Sequence, residues 1–312
     1  MIVDTPAEQL EEVPIERIGP MDVTVLVTDR GSVPMNIGAV LQFDNAGGPS
    51  FATVGALLSE RVTTIPRLRQ RLQRVPFGCG RPVWVDDPDF VLDRHLIERE
   101  WPAPGGDKQL LDVAAELLCQ RLEIDRPLWL ACLLTDPASG RTGLILVLHH
   151  VLADGLGGLA ILAALADPGL DAPARPFPQP PPPRRELVID AAREMIRAAC
   201  SLPVRLRRGS AGLRELGLAS ARPRMAEKTS LNRATSNRRR LGVVTVCLAD
   251  VADVAHRAGG TVNDVVLTAV IGALLTTLRA RGEHPAQLVV SVPVSGRHST
   301  TAERLGNNTG VR

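Results

Sequence analysis

The chain of 312 residues has no tyrosine, and aromatic side chains make up 3% of it. So thin an aromatic set cannot build the stacking platforms on which single-stranded nucleic acids are held, and no nucleic-acid partner is expected. Lysine is almost missing as well: Lys108 and Lys228 are the only two, and arginine carries the remaining positive charge. The five cysteines, Cys79, Cys119, Cys132, Cys200 and Cys247, lie far apart with no Cys-x-x-Cys pair and no histidine at metal-ligand spacing. That excludes a zinc ribbon or a dithiol redox site and reads as small buried hydrophobes in a reducing compartment. Met1 to Glu12 is acidic and holds no apolar segment of the signal-peptide kind. The longest apolar stretch, Val265 to Leu278, counts 14 residues including three threonines, short for a bilayer. The expectation is a cytoplasmic protein, free or attached to the cytoplasmic face of a membrane.

What is present is a globular composition, 45% hydrophobic, arranged in mixed α and β periodicities. Val23 to Thr28 and Ile37 to Phe43 read as strands; Ser50 to Thr63 and Gln109 to Arg121 read as amphipathic helices. Trp129 to Leu134 and Thr142 to Leu148 read as strands joined across a turn at Asp136 to Gly140, the whole fitting one layer of helices on a sheet. Pro173 to Pro183 holds seven prolines in eleven residues, so neither helix nor central strand fits it, and it marks a boundary. Beyond it a helical stripe runs from Leu187 to Ala199, followed by a Gly- and Arg-rich stretch to Asn237. A strand at Leu241 to Leu248, helices from Asp250 and after Thr261, and a strand at Gln287 to Val294 complete the pattern.

Charge is concentrated: Arg184 to Arg240 holds 15 basic and 5 acidic residues, a local +10 in a chain whose net charge is +2. Such an excess attracts anionic partners, either a lipid surface or the phosphates of a nucleotide-bearing thioester, although a solvated basic linker gives the same count.

The most informative string is His149-His150-Val151-Leu152-Ala153-Asp154-Gly155, which follows the apolar run Leu144 to Leu148. A buried strand breaking into a turn holds side chains firmly, and histidine is the residue best poised to move a proton at neutral pH. Neighbouring strand residues point to opposite faces, so one imidazole is expected to face a cleft and the other to be a buried support. The plain alternative is a core histidine beside an Asp that caps the helix Leu156 to Ala166. Further on, Thr261 and Asp264 have capping-box spacing, which makes Asp264 a helix cap, while the Asn263 amide lies in a first turn suited to an anionic oxygen.

The HHxxxDG string resembles the superfamily of chloramphenicol acetyltransferase, peptide-synthetase condensation domains and the bacterial wax ester synthase/diacylglycerol acyltransferases. Several other blocks in their order resemble the last of these: Pro20-Met21-Asp22, Pro34-Met35-Asn36-Ile37-Gly38, Pro66 to Leu72, Pro82 to Asp87, and Arg126-Pro127-Leu128-Trp129. Thr261 to Val265, Val292 to Arg297 and Leu305 to Asn308 extend the likeness from about residue 18 to the last residue. It implies an α+β fold, a two-lobed chloramphenicol-acetyltransferase-like sandwich whose second lobe is incomplete, because family members carry a longer second half. The divisions expected are 1–172, an N-terminal acyltransferase domain; 173–240, a Pro/Arg-rich linker with an amphipathic helix; and 241–312, a partial C-terminal domain.

By the same resemblance His150 is the general base of an acyl-CoA-dependent O-acyltransferase, with acyl-CoA as co-substrate and no resident cofactor or metal. The acceptor is diacylglycerol or a long-chain alcohol, and the products are triacylglycerol or wax ester. His149 packs and orients, and Asp154 orders the loop through an arginine, Arg297 being one candidate. Gly155 gives a backbone shape, and Asn263 with Asp264 forms the oxyanion side. Peripheral association with a membrane or lipid-droplet surface through Arg184 to Arg240 is expected. Two rivals stand beside this reading: a condensation-type enzyme fed by a carrier-protein thioester, and a catalytically impaired lipid-binding remnant.

Overall fold

The computed structural model describes residues 14–43, 48–153, 155–166, 176–215, 227–290, 292–295 and 309–311. Its first half is built on helices α1 (Pro20–Thr28), α2 (Phe51–Thr64), α3 (Asp107–Leu118) and α4 (Gly155–Ala166), and on strands β1 (Asn36–Phe43), β2 (Gln70–Gln73), β3 (Val83–Asp86), β4 (Leu96–Glu100), β5 (Trp129–Thr135) and β6 (Thr142–His149). The second half has helices α5 (Arg184–Glu215), α6 (Leu248–Arg257) and α7 (Val262–Ala280) and the short strands β7 (Pro293–Ser295) and β8 (Thr309–Val311).

The apolar run Leu144 to Leu148 becomes β6, an interior strand of a sheet ordered β1-β6-β5-β4. It pairs antiparallel with β1, Asn36 opposite His149, and with β5, Trp129 opposite Leu148. The run is continuous because both faces of the strand are covered. Leu146 and Leu148 join Val54, Leu58 and Val62 of α2 and Ile161 of α4 in one core. Ile145 and Val147 join Leu110, Ala114, Leu117 and Leu118 of α3 in the other. Helices therefore lie on both faces, where one layer was expected. Each fully buried Leu, Ile or Val contributes about 1.5 to 3 kcal/mol, so β6 is among the most firmly held elements of the molecule.

Trp129 is core, and its indole N–H donates to the Leu68 carbonyl at 2.8 Å while the ring stacks on His95, centroids 4.8 Å apart. Gly38 sits where an added Cβ would lie 2.9 Å from Leu118 Cδ2 and 3.0 Å from the Leu146 carbonyl oxygen. Its missing side chain is what lets α3 close onto β1.

Several expectations are corrected. Val23 to Thr28 belongs to α1: Pro20 stands in the first turn and the Asp22 carboxylate accepts the Gly19 N–H at 2.9 Å, so the start signals outweigh the β-branched composition. The helix after the proline run continues through Pro203 to Glu215, taking up part of the Gly- and Arg-rich stretch. The anticipated strand at Leu241 to Leu248 has no regular structure up to Cys247, with Val243 73% and Val244 89% exposed, and the one at Gln287 to Val294 shortens to β7. Alternation shows that a segment suits a sheet, whereas a strand forms only beside a partner. Finally, α7 extends past the 14-residue run to 19 residues, about 28 Å, and is by length and composition the one described helix able to cross a membrane. Two cysteines, Cys200 and Cys247, are exposed rather than buried. Cys132, whose thiol burial pushes up to about 11, is inert at neutral pH.

Candidate active site

The end of β6 is nailed down on all sides. Val151, Leu152 and Ala153, the three middle residues of the histidine string, are buried in the core formed with α2 and α4. The His149 N–H donates to the Leu128 carbonyl at 2.9 Å, and the Leu152 N–H donates back to the His149 carbonyl at 2.9 Å. The His150 N–H donates to the Met35 carbonyl at 2.7 Å, tying the turn to the residue just before β1.

His149 is buried, and its environment defines its tautomer. The Val151 N–H, necessarily a donor, meets Nδ1 at 3.1 Å, so Nδ1 is the acceptor. The proton is then on Nε2, which faces the Asp29 carboxylate at 3.2 Å. Burial holds the His149 pKa below its ordinary value against the opposing pull of Asp29, which keeps the ring neutral. Asp29, the C-cap of α1, also accepts the Met35 N–H at 3.0 Å and the Arg121 guanidinium at 3.1 Å. Arg121 reaches over from beyond α3 and donates as well to the Asp29 and Gly31 carbonyls.

His150 is half-buried in the turn just past the end of β6. An apolar groove of about 150 Å3 opens between Ile37 and Ala39 of β1, Leu146 and Leu148 of β6, and Leu159 and Leu162 of α4. Gly155 is the first residue of α4, whereas Asp154 and Arg297 lie outside the described residues. At the start of α7, Thr261 and Asp264 close a capping box, the Asp264 carboxylate accepting the Thr261 N–H at 2.7 Å. Hydrogen bonds from Thr261 hold that carboxyl below its usual pKa. Asn263 is exposed on the first turn, and the structure gives it no bond to either histidine.

Sequence reading missed Asp29, Arg121 and Arg239. The last donates to the Pro34 and Asn36 carbonyls at 3.1 and 3.4 Å, bringing the second half of the chain against the approach to β1. No signal in the sequence marks these pairs, which are more than 90 residues apart, beyond a polar turn ahead of the Pro-Met dipeptide.

A sheet with helices on both faces, a histidine pair at the end of an interior strand and a second segment folded against it define the two-lobed chloramphenicol-acetyltransferase-like class. Two solved structures share the fold. The wax ester synthase/diacylglycerol acyltransferase from Marinobacter aquaeolei is 22% identical, with a TM-score of 0.59 over 87% of this chain and 63% of that one. The first condensation domain of the calcium-dependent antibiotic synthetase is 21% identical, with a TM-score of 0.62 over 96% and 69%. Residues 18–266 match the wax ester synthase/diacylglycerol acyltransferase catalytic domain, and the chain belongs to that family. A relative from Mycobacterium tuberculosis, named probable diacylglycerol O-acyltransferase tgs1, is 32% identical over 283 residues, 88% of this chain and 60% of that protein. The chain thus spans about 60% of the length of the curated relatives it matches.

Proposed function

We propose that the chain carries the general-base side of an acyl-CoA-dependent O-acyltransferase that forms triacylglycerol from diacylglycerol, wax esters from long-chain alcohols, or both. The carrying observation is the sorting of two adjacent histidines at a strand end: His149 neutral, its ring held between the Val151 N–H and the Asp29 carboxylate, and His150 half-buried in the turn just beyond. In this reading His150 Nε2 removes the hydroxyl proton as the alcohol oxygen attacks the thioester carbonyl. The carbon–sulfur bond then breaks, and the proton passes to the departing thiolate, leaving ester and free coenzyme A. No metal or redox cofactor is called for. Asp154 and Gly155 shape the loop, Asn263 offers its exposed amide to the developing oxyanion, and Asp264 holds the helix end beneath it. The same reading divides the chain into lobes at 1–172 and 241–312, joined through 173–240.

Membrane or lipid-droplet association through Arg184 to Arg240 belongs to this proposal, supported by the make-up of α5. Two of its four acids, Asp190 and Glu194, are turned onto Arg17 and Arg81, while Met195, Ile196 and Leu202 stay exposed beside Arg193 and Arg197. An apolar stripe flanked by uncompensated arginines suits an anionic interface.

The test is transfer of label from palmitoyl-CoA to dioleoylglycerol or hexadecanol by the 312-residue protein. His150→Ala is expected to lower the rate about 10² to 10⁴-fold. A variant as active as the parent overturns the assignment. Turnover with acyl-carrier protein but not with acyl-CoA selects the condensation-type reading, and acyl-CoA binding without turnover selects the lipid-binding remnant.

A further inference from the structure

Among the described residues Asp29 is the acidic side chain most tightly woven into the histidine turn, and the acyl-transfer chemistry gives it no part. We propose that Asp29 is a positioning residue that aims His150, acting through a closed ring of hydrogen bonds; this rests on His150 being the base. The ring is short. Asp29 Oδ2 accepts from His149 Nε2 and Oδ1 accepts from the Met35 N–H, the Met35 carbonyl accepts from the His150 N–H, and the chain itself returns from His150 to His149. The Val151 N–H on His149 Nδ1 fixes the far side of the imidazole, so both flanks of His150 are tied. Arg121 holds the carboxylate from outside at 3.1 Å and braces the same loop through the Asp29 and Gly31 carbonyls.

Every partner of this carboxylate named above is a donor. Only an acceptor-only group satisfies all three, and the isosteric Asn fails in either orientation, because its amide N–H2 must then face Met35 N–H or the His149 and Arg121 donors. Asp29→Asn therefore breaks the ring without changing its size. Sub-ångström misdirection of a catalytic group is costly, because a 1 Å displacement can lower rates by about 10²-fold.

The decisive measurement is the imidazole 15N–1H spectrum of the full chain. In the parent, His149 is expected as the Nε2–H tautomer. In Asp29→Asn, His149 and His150 ring signals are expected to move together, while buried His95 and exposed His256 stay in place as internal references. Asp29→Glu, still acceptor-only, is expected to return the His150 signals part of the way. In the transfer assay Asp29→Asn is expected to lower kcat about tenfold or more with KM for palmitoyl-CoA unchanged. A parent His149 protonated on Nδ1, or His150 signals and kcat untouched by Asp29→Asn, overturns the proposal. Retained activity in His150→Ala defeats the base assignment instead, and the spectra still judge the ring.

Discussion

His149 and His95 are kept neutral by the same force, burial, although their neighbours differ. His95 is packed between Phe90 and Trp129 with Nδ1 at 2.9 Å from the Trp129 carbonyl, while His149 leans on a carboxylate. For both, desolvation is the leading cause of a pKa below the ordinary 6.5. Between that lowered folded value and 6.5 the unfolded chain binds more protons than the folded one, so stability is complete above about pH 6.5 and declines as pH falls below it. Urea midpoints measured from pH 8 down to pH 5 are expected to fall from pH 6.5 onward. His95→Phe is expected to flatten part of that slope, since its replacement cannot take up a proton. A flat profile in the parent would show that the two rings gain no charge on unfolding.

Among elements, β1 is decisive, because it sets the distance between α3 and the strand that ends in the histidines. Gly38→Ala pushes a methyl against Leu118 and against the Leu146 backbone oxygen, and the backbone cannot yield as a flexible side chain would. A loss of about 1 to 3 kcal/mol is expected, seen as a lower urea midpoint at unchanged slope. Much at this scale was legible beforehand: β1, α2, α3, β5, β6 and α4 all stand within a few residues of where periodicity and caps put them, since each buries an apolar face that the sequence displays. Leu241 to Cys247 was not legible, because alternation is a property of the segment and pairing is a property of its surroundings. His149 and His150 were readable from position alone. Asp29 was not: Thr28-Asp29-Arg30-Gly31 looks like any polar turn, and its partners His149 and Arg121 lie 120 and 92 residues away.

For the whole molecule the distribution of charge and apolar surface outweighs its total. The net +2 hides a segment at +10, and α5 presents part of it beside exposed Met195, Ile196 and Leu202. Co-sedimentation with vesicles containing phosphatidylglycerol is expected to exceed that with phosphatidylcholine alone and to fall as salt rises, with Debye screening near 10 Å at 0.1 M. Met195→Ser with Ile196→Ser is expected to weaken what salt does not. Equal binding to both lipids would remove the anionic-interface part of the reading.

Arg17 gives that surface a fixed bearing. Its guanidinium, 4% exposed, is sealed beneath α5, donating to Asp190 and to the Cys79, Arg81 and Leu187 carbonyls. Peeling the helix away would strip Arg17 of the Asp190 carboxylate and the Leu187 carbonyl together. The first turns of α5 are thus no loose tether: the exposed arginines and apolar side chains they carry keep one bearing on the loop between β2 and β3, whichever partner meets them.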